Sequence, residues 1–550
     1  MRIKLLSSIE KCFLDENIDN KNEIREILCL KNEELHLELA YQDKSEAFVR
    51  TECILCIEGE LSGYISASRI ENVPVRYPCD FNNCDDNYLR KESGLYPDIL
   101  VPINKERRVY ASSELQALWL DIKCEKGLPS GRYQTIFKLK SPKSEEVFAE
   151  TSVVIEVVAA SLPKQDLIFT QWFYCDCLAD YYGVESFSDR HFEIIENFAK
   201  VAVDNGVNML LTPLFTPPLD TFEGGERTTT QLVGIARNNG AYSFDFSLLG
   251  RWIDMCDRVG IKYFEINHFF TQWGALHSPK IMATVDGEYK RIFGWETDAY
   301  SEEYKFFLRT FIPELLSYLR SKNNADKRCY FHISDEPSES QLENYKKAKS
   351  MVGDLLCDYP IIDALSDYEF YERGIIKNPI PSNDRIEPFI ENNVEPLWTY
   401  YCVSQAKDVS NRFISMPSAR NRIIGMQFYK YNIKGFLHWG YNFYNDQFSR
   451  NRINPYLITD GDWFAPSGDT FSVYPSDSGT AYRSLRLSVF FDALQDDRRL
   501  KLLESLVGRE KALDVLEKDI PHLTFKEYPK DSEWLIKKNN EINRIISEKL

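Results

Sequence analysis

The chain has 550 residues, more than one hydrophobic core usually supports, so two or three domains with a deeply buried centre are expected. With 66 Lys+Arg against 84 Asp+Glu, its formal charge of −18 gives a field that repels phosphate backbones and anionic membrane surfaces. Nucleic acid and membrane are thereby excluded as expected partners, and no stretch approaches the ~20 apolar residues that a spanning helix needs. The basic start of the chain meets Glu10 and Lys11 before any apolar run of signal-peptide length, so a cytoplasmic protein is expected. The 13 cysteines agree with a reducing compartment, since their number is odd and Cys53, Cys124, Cys256 and Cys402 sit in apolar segments. Cys53-x-x-Cys56 and Cys175-x-Cys177 lack a second pair at ligand spacing, so no metal and no cofactor is expected.

From about residue 30 to 160, short β-rich runs alternate with turn signals: 47–56, 116–123 and 133–139. Gly127-Leu-Pro-Ser-Gly-Arg132 is a turn between two of them, in which Pro presets one φ and Gly relieves another. A β-sandwich over residues 1–160 follows. Beyond Pro163 apolar strands of five to seven residues alternate with helical patterns, the mark of parallel β/α architecture. The strands are predicted at 166–173, 207–212, 261–267, 329–334, 360–365, weakly at 386–390, then at 397–402 and 434–439. Helices are predicted between them, as at 189–205 and 302–320, where apolar residues recur every three to four positions. Eight strands predict an α/β fold of the (β/α)8, TIM-barrel type over residues 161–480. Pro379, Pro381 and Pro388 make the sixth strand the weak one. Residues 481–550 are predicted as a helical appendage, with helices at 485–495, 498–507, 509–518 and 531–549.

In such a barrel the active site lies at the carboxyl ends of the strands. Polar and aromatic residues after each apolar run are therefore candidates: Gln171-Trp172, Arg227 in the long second loop, His268 with Gln272-Trp273, Asp335-Glu336, Tyr400-Tyr401, and Trp439 to Asn442. Acids, amides and aromatics together suit a sugar. Within Tyr330-Phe-His-Ile-Ser-Asp-Glu-Pro337, Asp335 and Glu336 follow an apolar strand that Pro337 ends. Two close carboxylates raise each other's proton affinity, which keeps one protonated as a general acid. The bland alternative is a helix-capping pair on the surface. A glycosidase normally needs a second carboxylate across the scissile bond. In barrel glycosidases it commonly follows the seventh strand, yet Leu397-Trp-Thr-Tyr-Tyr-Cys402 carries none. A substrate with a 2-acetamido group supplies its own nucleophile instead. Glu336 would then be the acid/base and Asp335 the acceptor of the acetamido N–H, with Tyr400 or Tyr401 donating to the acetamido oxygen. Trp273, Trp295 and Trp439 lie in polar, Gly-containing loops and are candidate stacking platforms. Arg227 is expected to bind a hydroxyl, its alternative being an ion pair that braces the loop. His268 is either a substrate contact or an interior histidine. Two other functions compete: a barrel glycosidase pairing Glu336 with Glu265 or Asp460 on a non-acetamido sugar, and a non-catalytic carbohydrate-binding protein.

Thr212-Pro-Leu-Phe-Thr-Pro-Pro-Leu-Asp-Thr221, His268-Phe-Phe-Thr-Gln-Trp-Gly-Ala275, His332-Ile-Ser-Asp-Glu-Pro337 and Gly435-Phe-Leu-His-Trp-Gly-Tyr-Asn442 appear in order along the chain. With Leu95-Tyr-Pro-Asp-Ile-Leu-Val-Pro102 and Leu118-Trp-Leu-Asp-Ile122 upstream, they resemble proteins carrying the domain of unknown function 4091, relatives of glycoside hydrolase family 123. The likeness covers residues 60–500. It implies a β-N-acetylgalactosaminidase acting by substrate-assisted retention, with the family's Asp-Glu pair on Asp335 and Glu336. The substrates it implies are oligosaccharides or glycolipid-derived sugars.

Overall fold

Apolar side chains at every second position build the N-terminal third. In the strand Val147–Ser161, Val153, Ile155 and Val157 are buried while Val154 and Glu156 between them are half-buried. The computed structural model describes residues 1–45, 50–125 and 127–550. Arg2–Ser7, Glu33–Gln42, Gln116–Cys124, Ile65–Val75 and Gly94–Pro102 form one five-stranded sheet in that order. Glu26–Lys31, Val147–Ser161, Gly131–Lys140, Thr51–Glu58 and Arg108–Ala111 form the second. Leu37, Leu39, Leu118 and Leu120 of the first pack on Leu55, Phe137 and Leu139 of the second, each worth roughly 1.5–3 kcal/mol when fully buried. The region is sandwich-like. Of the run predicted at 47–56, residues 47–49 lie outside the described residues, and the strand begins at Thr51.

In the centre of the chain six strands pair in parallel, in the order Cys329–Phe331, Tyr263–Ile266, Met209–Thr212, Ile168–Gln171, Gly435–His438 and Trp398–Tyr400. This is a half-barrel. Ile362–Ala364 and Asn378–Ile380 make a separate parallel pair. Single bridges, Phe331 to Ile361 and Ser382 to Tyr400, join that pair to the two edges of the larger sheet. The strand expected at 386–390 is instead a short helix, Glu387–Glu391, with Pro388 in its first turn, where a missing N–H costs nothing. The strand before it tolerates Pro379 because its ladder uses carbonyls: Ile380 O accepts from Leu365 N at 2.9 Å and Pro381 O from Tyr400 N at 3.1 Å. Asp189–Asp204 starts at a Ser188 cap and Glu302–Ser321 at a Ser301 cap.

A four-stranded sheet that periodicity does not predict is built from the chain that follows the second and third parallel strands. Its hairpins are Gly234–Asn238 with Ala241–Asp245, and Ile281–Val285 with Glu288–Phe293. They turn at Asn239-Gly240 and Asp286-Gly287, all four with positive φ (50°, 82°, 48° and 93°). Both central residues of such a tight turn require that region, which Asn, Asp and Gly enter most easily.

The C-terminal helices are no loose appendage. Leu485–Val507 is one helix where two were predicted, because Asp496 and Asp497 at the expected break are buried and paired, Asp496 with Arg422 at 2.7 Å and Asp497 with Lys501 at 2.8 Å. Phe490 packs on Phe169 and Phe436 of the central strands, while Leu485 and Val489 meet Trp119 of the sandwich. Asp492 binds His36 at 2.7 Å and Arg486 forks onto Asp98 at 2.9 Å. Among the described residues no helix is long and apolar enough to cross a membrane.

Candidate active site

At the carboxyl ends of the parallel strands lies a cavity of about 190 Å³, where open α/β sheets bind ligands. Trp172 follows the first strand, Asp220 lies beyond the second, and Gln272 and Trp273 follow the third. Asp335 and Glu336 follow the fourth, Tyr400 comes from the seventh, and Trp439 follows the eighth. Phe448 and Phe464 complete the apolar wall.

Neighbouring residues of an extended chain point opposite ways, yet both acids line this cavity. Glu336 has φ of 43°, the left-handed region that a glutamate enters at a cost of about 1–2 kcal/mol. That turn swings its side chain to the same side as Asp335. Main-chain bonds hold it: Glu336 N donates to Ala364 O at 3.1 Å, and Trp273 N to Asp335 O at 3.1 Å. Asp335 is buried, with Oδ2 accepting from Gln272 Nε2 at 2.7 Å and Oδ1 without a partner among the described residues. Burial and then the Glu336 charge push the Asp335 carboxyl well up. Glu336 opens onto the cavity and is also raised, by desolvation among the cavity walls, while the Tyr400 hydroxyl and the Trp273 indole pull it down. Tyr400 Oη donates to Glu336 Oε1 at 2.9 Å. The pair therefore holds a proton that an isolated carboxylate would have released.

A charged floor lies beneath. His332 reaches Glu265 Oε1 at 2.7 Å and Asp363 Oδ1 at 3.0 Å, and these acids, outweighing burial, raise the imidazole to about 9. Glu265 also accepts from the Trp172 indole at 2.7 Å and from Thr170. His268 stacks on His332 with ring centroids 4.2 Å apart, and its proton affinity falls well below the ordinary value through burial and its charged neighbour. His268, His332 and Asp363 bring possible ligand atoms within 4.8 Å. His332 already uses both nitrogens on carboxylates and lies face to face with His268, so the lone pairs do not converge on a cation.

Residues 172–503 match the family described as glycoside hydrolase 123, catalytic domain. The chain belongs to glycoside hydrolase family 123. It is similar in fold to a family 123 glycoside hydrolase from Clostridium perfringens, studied for glycolipid glycan hydrolysis, with a TM-score of 0.73, 15% identity, and coverage of 100% of this chain and 98% of that one. Two further structures are distant in shape and carry no argument. One is a glycosyl hydrolase family 2 member from Bacteroides cellulosilyticus (TM-score 0.27, 12% identity, 76% of this chain and 45% of that one). The other is a family 5 mannosidase from Rhizomucor miehei (TM-score 0.31, 12% identity, 61% and 94%). No curated protein sequence matches the chain.

In this family 123 chain the cavity brings together Trp172, Gln272, Trp273, Asp335, Glu336, Tyr400 and Trp439 of the expected residues. Others lie elsewhere. Arg227 is buried and forks onto Asp176 at 2.8 and 2.9 Å, so the brace, not the hydroxyl-binding role, is its geometry. Asn442 exchanges both amide groups with the Tyr174 backbone at 2.9 and 3.0 Å. Tyr401 is buried against Phe436 and His438. His268 lies under Trp172, and Trp295, its indole donating to Gly225 O at 3.0 Å, lines a neighbouring groove. Neither alternative acid faces the cavity, since Glu265 belongs to the floor and Asp460 is forked by Arg76 at 2.8 and 3.0 Å.

Asp220 was not anticipated. It lines the cavity with 9% of its surface exposed, in a left-handed conformation with φ of 47°. Gln272 Oε1 accepts from its N–H at 2.5 Å and Ser449 donates to its carbonyl at 2.7 Å. Burial raises its carboxyl to about 7. Asp469, accepting from the Trp439 indole at 2.9 Å, is likewise raised to about 7 by burial. Asp220 stands in the quoted Pro-Pro-Leu-Asp motif, but no strand precedes it closely enough for the strand-end rule to single it out.

Proposed function

We propose that this glycoside hydrolase removes terminal β-linked N-acetylhexosamine, N-acetylgalactosamine first among them, by a retaining, substrate-assisted mechanism. The observation that carries this is Asp335: one oxygen is fixed by Gln272 and the other is buried with no donor among the described residues, beside an acid that opens onto the cavity. The acetamido N–H of a bound sugar supplies the missing donor. That bond favours the carboxylate form of Asp335 and leaves the shared proton on Glu336. Glu336 protonates the glycosidic oxygen as the C1–O bond breaks, while the acetamido oxygen attacks C1 to close an oxazolinium ring. The Asp335 carboxylate offsets the positive charge of that ring. Glu336 then takes a proton from water, which opens the ring at C1 with net retention. Tyr400 is assigned as donor to the acetamido oxygen, its single hydroxyl hydrogen turning from Glu336 to the sugar on binding. The eight strands form one (β/α)8 barrel in this proposal, and the two bridging pairs at its weak side support that closure.

A two-carboxylate mechanism on a non-acetamido sugar is the second reading, favoured by Asp220 in the same cavity. A nucleophile must be ionised, however, and Asp220 holds its proton up to about pH 7. Aryl β-glycosides of N-acetylgalactosamine, N-acetylglucosamine, galactose and glucose discriminate the two. The N-acetyl sugars are expected to turn over at least 100-fold faster, Glu336→Gln to abolish turnover while sugar binding persists, and Asp335→Asn to lower kcat steeply. Equal rates on the plain sugars would remove substrate assistance. Unchanged activity in both variants would remove the site.

A further inference from the structure

Glu34 and His36 lie two residues apart on the strand Glu33–Gln42, so their side chains leave the same face of the sheet. Asp121, on Gln116–Cys124, pairs with His36 across the antiparallel ladder and shares that face. Register alone therefore gathers an imidazole and two carboxylates. Cysteine spacing does not signal such a cluster, because its third member arrives from a neighbouring strand. The possible ligand atoms of the three all lie within 4.8 Å of one another. His36 Nε2 stands 3.4 Å from Asp121 Oδ1 and 3.6 Å from Glu34 Oε1. The His36 side chain is wholly buried, yet Nε2 has no hydrogen-bond partner among the described residues. These separations are long for hydrogen bonds but suit the edge of a coordination tetrahedron. Ligands at zinc distances of about 2.0–2.1 Å and tetrahedral angles stand about 3.3–3.4 Å apart.

The surroundings orient these groups as a metal's outer shell does. His36 Nδ1 donates to Asp492 Oδ1 at 2.7 Å, which directs Nε2 at the two acids. Asp121 Oδ1 accepts from the Trp119 indole at 2.9 Å, and Oδ2 from Arg483 and from Ser66 at 3.3 Å. Gln495 clamps the Glu34 main chain, accepting from its N–H at 2.8 Å and donating to its carbonyl at 2.9 Å. His332 differs, since both of its nitrogens engage carboxylates, whereas His36 engages one and keeps the other free of donors and acceptors among the described residues. The nearby cations also have acids of their own: Asp204 attracts Lys123 and Arg483, and Asp496 takes two bonds from Arg422 at 2.7 and 2.9 Å.

We propose that Glu34, His36 and Asp121 form a divalent transition-metal site, with zinc as its first occupant, which pins the sandwich to the helix Leu485–Val507 through Asp492. Imidazole and carboxylate together suit that ion. Binding releases the imidazole proton, as metal ligation by histidine requires. The site opens on a hollow of about 320 Å³ lined by Glu34, Ser66, Asp121, Asp204 and Arg483, which gives the ion a way in and a water its fourth position. That hollow shares no residue with the glycosidase cavity, so the metal serves the frame and not the chemistry.

The test titrates the full chain, stripped with a chelator, with Zn2+ by calorimetry and with Co2+ by visible absorption. One equivalent of each is expected to bind, Co2+ with the intense visible bands of a four-coordinate ion, and Zn2+ to raise the thermal midpoint. Glu34→Gln and His36→Gln are expected to abolish binding and the thermal shift, with circular dichroism checking that each variant folds. Glu34 is 22% exposed, so its variant keeps the fold even where loss of the buried histidine does not. Asp492→Asn is expected to weaken binding about 10–100-fold, the usual loss for a partner of a metal-bound histidine. Cys357→Ser removes an exposed thiol that could hold zinc by itself and is expected to change nothing. Absence of one-equivalent binding, binding lost with Cys357, or binding kept by the Glu34 variant would overturn the site. Each would leave His36 as a protonated clasp, the state that, against burial, Asp492, Glu34 and Asp121 favour.

Discussion

Asp220→Asn is expected to stabilise this protein, and to do so only above the pH at which an ordinary aspartate ionises. The carboxyl is raised from 3.8 to about 7 by burial in the cavity wall. Between those values the unfolded chain releases its proton and the folded chain keeps it, so rising pH favours the unfolded state. Three pH units at 1.36 kcal/mol each give a cost of up to about 4 kcal/mol, absent below pH ~4 and complete above pH ~7. Asparagine keeps the shape and never ionises. Asp220 also helps to raise Asp335, so the substitution adds a contribution of the same sign there. For a chain of 550 residues, with an unfolding entropy near 2.1 cal/mol/K per residue, about 4 kcal/mol moves the thermal midpoint by roughly 3 °C if the whole unfolds together. Thermal unfolding of both proteins from pH 4 to pH 8 would show the midpoint difference growing with pH. A difference that stays flat across that range, or a variant less stable at pH 8, would refute the buried, proton-holding assignment.

Tyr400→Phe removes the hydroxyl that pulls the Glu336 carboxyl down. The acid must be protonated to act, so the alkaline limb of the pH–rate profile is expected to move to higher pH while kcat falls; a limb that moves down would contradict the contact. Arg227→Ala leaves the buried Asp176 without its fork, and breaking a buried pair in this way typically costs about 3–5 kcal/mol. Calorimetry is expected to show that loss with an unchanged KM on aryl glycosides, whereas a raised KM at unchanged stability would return Arg227 to hydroxyl binding.

The acid pair of the cavity was legible because it follows a strand that is legible. Cys329–Phe331 is apolar, short and followed by Pro337, and strand ends in parallel β/α folds carry chemistry. The same rule overreached wherever strand-end residues serve the frame. Asn442 and Arg227 carry sugar-binding functional groups, yet each finds protein partners that sequence spacing does not reveal. Between Tyr400 and Tyr401 the alternation of a strand predicts that only one faces the cavity, but which one depends on register. The sixth strand hid behind prolines whose missing N–H groups the ladder does not need. The two hairpins were signalled by Asn239-Gly240 and Asp286-Gly287, turn dipeptides that outweigh periodicity in strands this short. Asp220 had no such signal, since its position depends on a loop fold fixed by partners more than 50 residues away in sequence.

One of those partners explains why the site works as a unit. Gln272 accepts from the Asp220 backbone through its carbonyl and donates to Asp335 through its amide, so a single planar group fixes both acids. The neighbouring Trp273 adds a link to the pair, its N–H donating to the Asp335 carbonyl. The Thr271-Gln-Trp-Gly274 loop thus holds one oxygen of Asp335, while the other has no donor among the described residues. The left-handed backbone of Trp273 and of Glu336 is the geometric condition for this. An extended residue at either position would turn the indole or the carboxyl away from the cavity. Together they cost a few kcal/mol of strain, small beside the burial available to a core of this size. The buried His332 below Asp335 draws the raised Asp335 carboxyl part of the way back down, and it is itself held by Glu265 and Asp363 from the adjacent strands. The strand framework therefore supplies a fixed positive charge underneath, and the loops supply the strain above. In the proposed mechanism, preorganisation of this kind leaves the last hydrogen bond of the site for the bound sugar to complete.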